Sequence, residues 1–267
     1  MQTPIALTIA GSDSSGGAGL QADLKTFSSF GVHGLTAVTC VVSETPLTVS
    51  LVHPIPPNVL QDQVRLMLAS YPITAIKTGM LYSKSHIVAI CELLENVDVP
   101  IIVDPVMVAS TGDPLLVDDA LEAISSRLMP LATVMTPNLP EAGILLGREV
   151  ANSADQKSAA QELSSKYGAA CYLKGGHLED HNQHRDILVH EGDFQSFVAD
   201  HIDLPQTHGT GCTLAAALTS GLARGGGLAE AARKAHRFTH QALKNSARWT
   251  IPSKKAFIYH LNQGQYS

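Results

Sequence analysis

The sequence predicts an α/β fold in which a central, mostly parallel sheet is flanked by helices on both faces. Three observations predict it. Short apolar runs alternate with longer helical patterns along most of the 267 residues, and runs that continuous read as strands covered on both sides. Hydrophobic residues make up 45% and charged residues 16%, which suits a large core and argues against disorder. Glycine and polar residues collect at the strand exits Gly11-Ser12-Asp13, Lys77-Thr78-Gly79, Asp104-Pro105, Thr136-Pro137-Asn138 and Lys174-Gly175-Gly176. Ligands of open parallel sheets bind beyond those ends.

Taken in order, "IALTIA" (5–10) is a strand, followed by a glycine loop and the amphipathic helix "LQADLKTFSSF" (20–30), which Gly31 stops. Further strands are "LTAVTCVV" (35–42), "ITAIKTG" (73–79), "PIIVDPV" (100–106), "TVMTPN" (133–138) and "ACYLKGG" (170–176). Helices fit near 58–70, 84–95, 117–127, 139–146 and 154–167. "DILVHEG" (186–192) and "FQSFVAD" (194–200) read as a hairpin around Gly192-Asp193, and the chain is then expected to be purely helical from 211 to about 246. No linker, repeat or low-complexity segment interrupts it, so residues 1–267 read as a single domain.

Composition excludes several function classes. The chain carries 18 basic and 24 acidic side chains, a net charge of −6, with no basic cluster; a nucleic-acid surface needs cations to neutralise phosphates. No apolar stretch approaches the roughly 20 residues that span a bilayer, and "MQTPIALTIAG" lacks the basic start of a signal peptide. Cys40, Cys91, Cys171 and Cys212 show no CxxC spacing, which argues against a disulfide framework or zinc knuckle and for a cytoplasmic setting.

The chemistry-bearing residues sit in the glycine-rich stretches. In "THGTGCTLAAAL" (207–218), Gly209 and Gly211 permit close backbone approach. The helix starting near 211 turns free N–H groups and a partial positive charge toward a bound anion. Cys212, on its first turn, is expected to have a depressed pKa and to serve as a base; a small buried hydrophobe is the ordinary role of cysteine. Asp104 closes an apolar strand and needs a cation such as Mg²⁺. Glu141 is either a second such carboxylate or a partner of its own helix dipole. Lys174 is placed for a phosphate or is a snorkelling lysine. "AGSDSSGGAGLQADLKT" (10–26) fails the Walker pattern, because Gly17-Ala18 follows Gly16 where Lys-Ser/Thr belongs, and Asp23 is by default a solvated face residue. Met80 and Met107 are core filler or a wall for a flat ring. The three histidines of "HLEDHNQHRD" (177–186) have metal-like spacing inside a polar connector.

Together and in order, "AGSDSSGGAGLQADLKT", "KTGML", "VDPVM", "TPNLPEA", "LKGGH" and "HGTGCTLAAAL" resemble the hydroxymethylpyrimidine/phosphomethylpyrimidine kinases of thiamine biosynthesis, over about residues 5–245. These are ribokinase-like enzymes. The resemblance implies a homodimer that transfers the γ-phosphoryl of Mg·ATP to an aminopyrimidine alcohol and then to its monophosphate. It also implies that Gly11, Asp23, Met80 and Met107 line the pyrimidine pocket. Gly209, Thr210 and Gly211 would form the anion hole, with Cys212 as the catalytic base. Asp104 and Glu141 would organise Mg²⁺ and its waters, and Lys174 would touch the ATP phosphates.

Many ribokinase-like sugar kinases place an aspartate where this chain has Cys212. A thiol, unlike a fixed carboxylate, tolerates both an alcohol acceptor and a charged phosphate acceptor. Two departures from the resemblance stand out. Glu44, in "SETP", occupies the place of a family glutamine whose amide pairs with the aminopyrimidine edge. A carboxylate accepts from the amine but cannot donate to the ring nitrogen unless one of the two is protonated. A preference for the monophosphate, or activity on it alone, is therefore expected. His236 stands where relatives often have lysine, on a helix expected to edge the nucleotide site. A pyridoxal kinase of the same fold and a non-catalytic relative remain alternatives; both glycine loops fail the dinucleotide pattern of a dehydrogenase.

Overall fold

The computed structural model describes residues 2–107, 119–176, 183–205, 207–251 and 257–264. The first half runs β1 (Ile5–Asp13), α1 (Gly19–Ser29), β2 (His33–Thr45), β3 (Thr48–Pro54), α2 (Pro57–Ser70), β4 (Ala75–Thr78), α3 (Lys84–Leu94) and β5 (Ile101–Val103). The second half runs α4 (Ala120–Ala123), β6 (Val134–Met135), α5 (Leu139–Leu146), α6 (Ser153–Tyr167), β7 (Ala170–Leu173), β8 (Gln183–His190), β9 (Asp193–Asp200), α7 (Thr210–Ala223), α8 (Leu228–Lys244), β10 (Ala247–Thr250) and β11 (Phe257–His260). Beyond α4 the helix continues as a wider turn (Ile124–Leu128) and a tighter one (Met129–Leu131).

The main sheet has the order β3-β2-β1-β4-β5-β6-β7-β8-β9. Pairing is parallel from β2 through β7 and antiparallel at β3, β8 and β9. Side chains alternate across it, as a strand's period of two requires. Leu7, Ile9, Ile101, Val103 and Met135 enter one core with Leu60, Val64, Ile87 and Leu163 from α2, α3 and α6. Ala6, Ile102 and Val134 enter the other with Phe27, Leu218 and Phe238 from α1, α7 and α8. The alanine-rich α7 is buried nearly all round because it packs on α1, α8 and the sheet. Each fully buried Leu or Ile contributes about 1.5–3 kcal/mol.

One expectation needs correction, and two elements carried no sequence signal. β3 is one of these: its side chains are largely exposed and it pairs along one side only, leaving little apolar pattern. The helical stretch is not continuous, since it breaks into α7 and α8 at Gly225-Gly226-Gly227, where Gly225 has a φ of 77°. A two-stranded hairpin, β10–β11, then follows. It leads into a tail pinned by Asn262 N–H to the Ala242 carbonyl (3.1 Å) and by Gln263 Nε2 to Thr213 Oγ1 (2.7 Å). The β8–β9 hairpin is as expected, with Glu191 and Gly192 at positive φ as a tight hairpin turn requires.

Candidate active site

Two glycine loops meet at the carboxyl ends of the parallel strands. Gly209 enters α7 with a φ of 83°, and a side chain there would overlap the backbone of Gly17. Gly19 opens α1 with a φ of 54°, and a side chain there would overlap the Gly11 carbonyl. Both positions therefore require glycine, and α1 and α7 begin against one another. Asp13 organises the first loop. Its carboxylate accepts from Ser15 N (2.6 Å), Gly17 N (3.0 Å), Ala18 N (2.7 Å) and the Ser15 hydroxyl (3.0 Å). His208 Nε2 approaches it at 2.9 Å. Burial opposes the charge, but these donors hold the Asp13 carboxyl well below the usual range.

The loops open on a cavity of about 340 Å³ whose wall includes Gly11, Glu44, Met80, Asp104, Glu141, Lys174 and Gly209 through Cys212. These predicted residues are brought together from distant parts of the chain. Two are not. Asp23 is neither solvated nor a wall residue: it is fully buried, accepts from the Thr8 hydroxyl (2.6 Å) and pairs with Lys77 Nζ at 2.9 Å. Burial opposes both charges, and the Asp23 carboxylate keeps the Lys77 ammonium charged. Met107 packs in the core with the α2–α3 side chains; its neighbour Val106 reaches the cavity instead. Both lie just past the end of β5, where the chain has left the strand.

The expectation for Cys212 also reverses. Its sulfur lies in the first turn of α7, and the Gly19 N–H at the start of α1 points at it. Those dipoles favour a thiolate. Burial works against them and pushes the thiol up to about 12, with Lys77 opposing and Asp23 and Asp104 adding to the rise. The balance favours the thiol over the thiolate.

Asp104 accepts from Lys174 Nζ and from the Thr136 hydroxyl, both at 3.0 Å. Burial opposes its charge, but Lys174 and Lys77 keep the carboxyl below its ordinary value. Glu141 closes a capping box with Asn138 at the start of α5, so its dipole-partner role is real. It also lies 3.9 Å from Lys174. Burial pushes Glu141 up to about 7 despite Lys174, and Asp104 adds to the rise. Two buried carboxylates share one ammonium here, and that surplus of hard oxygen ligands fits a divalent cation such as Mg²⁺. Asp13, Glu44 and His208 also lie within 4.8 Å of one another. The Asp13 oxygens are already taken by N–H and O–H donors, so this cluster reads as a loop anchor.

A second cavity adjoins the first, sharing Lys174, Thr207 and Thr210. Its wall includes Leu204, Leu214 and Leu243 with His184, His201 and His236. His236 Nε2 is 4.0 Å from Asp186, and burial lowers its pKa. Of this wall, Lys174, His184, Thr210 and His236 were marked by sequence. Most of its other side chains come from β8, β9, the loop after β9 and α7–α8, and no local motif joins them. Lys77, Asp13 and His208 were likewise missed as site residues, though each lies in or beside a quoted motif. Of the three histidines in 177–186, His177 and His181 lie outside the described residues, and His184 contacts His201 at 2.8 Å.

Known proteins resemble this chain in sequence and in fold. A family model described as phosphomethylpyrimidine kinase matches residues 13–255. A hydroxymethylpyrimidine/phosphomethylpyrimidine kinase of Rhizobium meliloti is 39% identical over 98% of this chain and 98% of its own length. The Staphylococcus aureus pyridoxal kinase solved with AMP-PCP and pyridoxal is 36% identical, with a TM-score of 0.87 over 100% of this chain and 95% of that one. The phosphomethylpyrimidine kinase of Clostridium difficile is 35% identical, with a TM-score of 0.80 over 90% of this chain and 100% of that one.

Proposed function

The chain belongs to the phosphomethylpyrimidine kinase family, and from that premise we propose that it phosphorylates 4-amino-5-hydroxymethyl-2-methylpyrimidine and its monophosphate from ATP in thiamine biosynthesis. The observation that carries the proposal is the convergence of the Gly209–Cys212 helix tip with Asp104, Glu141 and Lys174 on one cavity. In that cavity the acceptor lies over Gly11 and Met80. Its oxygen attacks the γ-phosphorus in line, the bond to the bridging oxygen breaks, and ADP leaves; the proton of an alcohol acceptor passes to an oxygen of the transferred phosphoryl group and then to solvent. The free N–H groups at the start of α7 hold the migrating phosphoryl group. Lys174 neutralises its charge from the shared edge of the two cavities, and the second cavity takes the rest of the nucleotide. Asp104 and Glu141 would hold Mg²⁺, which would supply charge neutralisation on the ATP phosphates. Cys212, as a neutral thiol, borders the acceptor without repelling a phosphate, which suits both substrates.

An ATP-consumption assay with the alcohol, the monophosphate, pyridoxal and no acceptor tests this. Consumption is expected with both pyrimidines, more with the monophosphate, and none without acceptor; no consumption with either pyrimidine overturns the reading. The full-length likeness to a pyridoxal kinase favours one second reading, a pyridoxal activity at the same site, and the pyridoxal arm reads it directly. We further propose a homodimer formed through the apolar outer side of the β2–β3 hairpin, where Val41 and Leu51 are exposed.

A further inference from the structure

We propose that Glu44 receives the acceptor as a neutral carboxylic acid, standing in for a carboxamide, so that the protein takes up a proton when the aminopyrimidine binds. This rests on the functional reading above and deepens it. An aminopyrimidine edge presents an N–H donor beside a ring-nitrogen acceptor. A carboxylate can only accept, whereas a neutral acid offers one O–H donor and one carbonyl acceptor, the same pattern as an amide.

The surroundings of Glu44 favour that form. Its backbone is held to the first glycine loop: the Glu44 N–H donates to Ser14 Oγ at 2.9 Å, and the Ser14 hydroxyl lies 3.0 Å from the Glu44 carbonyl. Its carboxyl borders the cavity with Gly11 and Met80. The titratable groups facing it are Asp13 from the end of β1 and His208 from the loop before α7. Behind His208 stands His260 of β11, its ring centroid 6.5 Å away. On β3 the partner of Glu44 is the apolar Val49. The other ionisable groups of the cavity wall are Lys77, Asp104, Glu141, Lys174 and Cys212. Asp13 is fixed as an anion by its own donors, so ionising Glu44 sets two carboxylates side by side. Burial and Asp13 push the Glu44 carboxyl up to about 7, and His208 opposes them. The proton is thus held near neutrality and lost above it.

Calorimetric titration of the protein with the aminopyrimidine alcohol at pH 8, in two buffers of different ionisation enthalpy, reads the proton directly. Wild type is expected to take up close to one proton per ligand, with affinity falling roughly tenfold for each pH unit above 7. Glu44→Gln is expected to bind with no uptake and with level affinity from pH 6.5 to 8.5. Glu44→Met, lacking donor and acceptor alike, is expected to bind weakly at every pH. The ultraviolet spectrum of the bound ring is expected to remain that of the neutral base, which puts the proton on Glu44. Uptake that is absent in wild type, uptake that persists in Glu44→Gln, or the spectrum of a protonated ring overturns the inference alone. Absence of aminopyrimidine binding in wild type at every pH overturns the functional reading and this inference with it.

Discussion

Cys212 lies in opposing fields. The starts of α1 and α7 favour its thiolate, and burial with Asp23 and Asp104 favours the thiol. Burial wins, so the residue meets both acceptors uncharged. Cys212→Asp would put a third carboxylate near Asp23 and Asp104, and its charge would fall hardest on an acceptor that is itself a phosphate. We expect kcat/KM for the monophosphate to fall at least tenfold further than for the alcohol, a differential of about 1.4 kcal/mol; steady-state kinetics on both acceptors measure it. An equal loss on both would remove the charge argument. Lys77 and Asp23 show a related principle beneath the site. A buried pair at 2.9 Å is costly to break, because either partner alone is an uncompensated buried charge. Sequence marked Asp23 for the pocket, and the fold used it as the counter-ion of a lysine on the neighbouring strand.

At the scale of elements, the site depends on two helices that start where two glycine loops touch. Gly209 is the tightest point, with its positive φ and the Gly17 backbone where a side chain would go. Gly209→Ala must either push the loops apart or shift the start of α7. A positive φ alone costs a non-glycine residue about 1–2 kcal/mol. We expect the urea midpoint to fall and kcat to drop more than tenfold, because the N–H groups at the start of α7 would leave the phosphoryl position. A variant with wild-type kcat would show that these amides are not where the reaction occurs. The strand–helix alternation behind this arrangement was readable, because fully buried parallel strands leave continuous apolar runs. Asn138 and Gly147, which cap α5, and Asn152 and Gly168, which cap α6, bound those helices within a residue or two of the expected spans. β3 and the β10–β11 hairpin left no such trace, since their exposed side chains follow no burial pattern.

For the whole molecule, the β2–β3 hairpin carries both the Glu44 carboxyl and an exposed apolar side, with Leu51 at 62% exposure. If two copies bury that side, Leu51→Lys is expected to convert a dimer to a monomer in sedimentation velocity, without loss of helical circular dichroism. A wild-type monomer at micromolar concentration would refute the dimer. The sequence by itself determined the parallel sheet, the glycine-loop helix starts and the gathering of Asp104, Glu141, Lys174 and Cys212 at the strand exits, where they line one cavity. Burial periodicity and local φ demands are written residue by residue, so they survive without coordinates. Only the tertiary structure decided the charge states and the facing of side chains: that Cys212 is a thiol, that Asp23 serves Lys77, that Met107 turns inward, and that Asp13 and His208 stand beside Glu44. Those depend on distances between strands far apart in the chain and on how much water reaches each group, and neither quantity has a local signature.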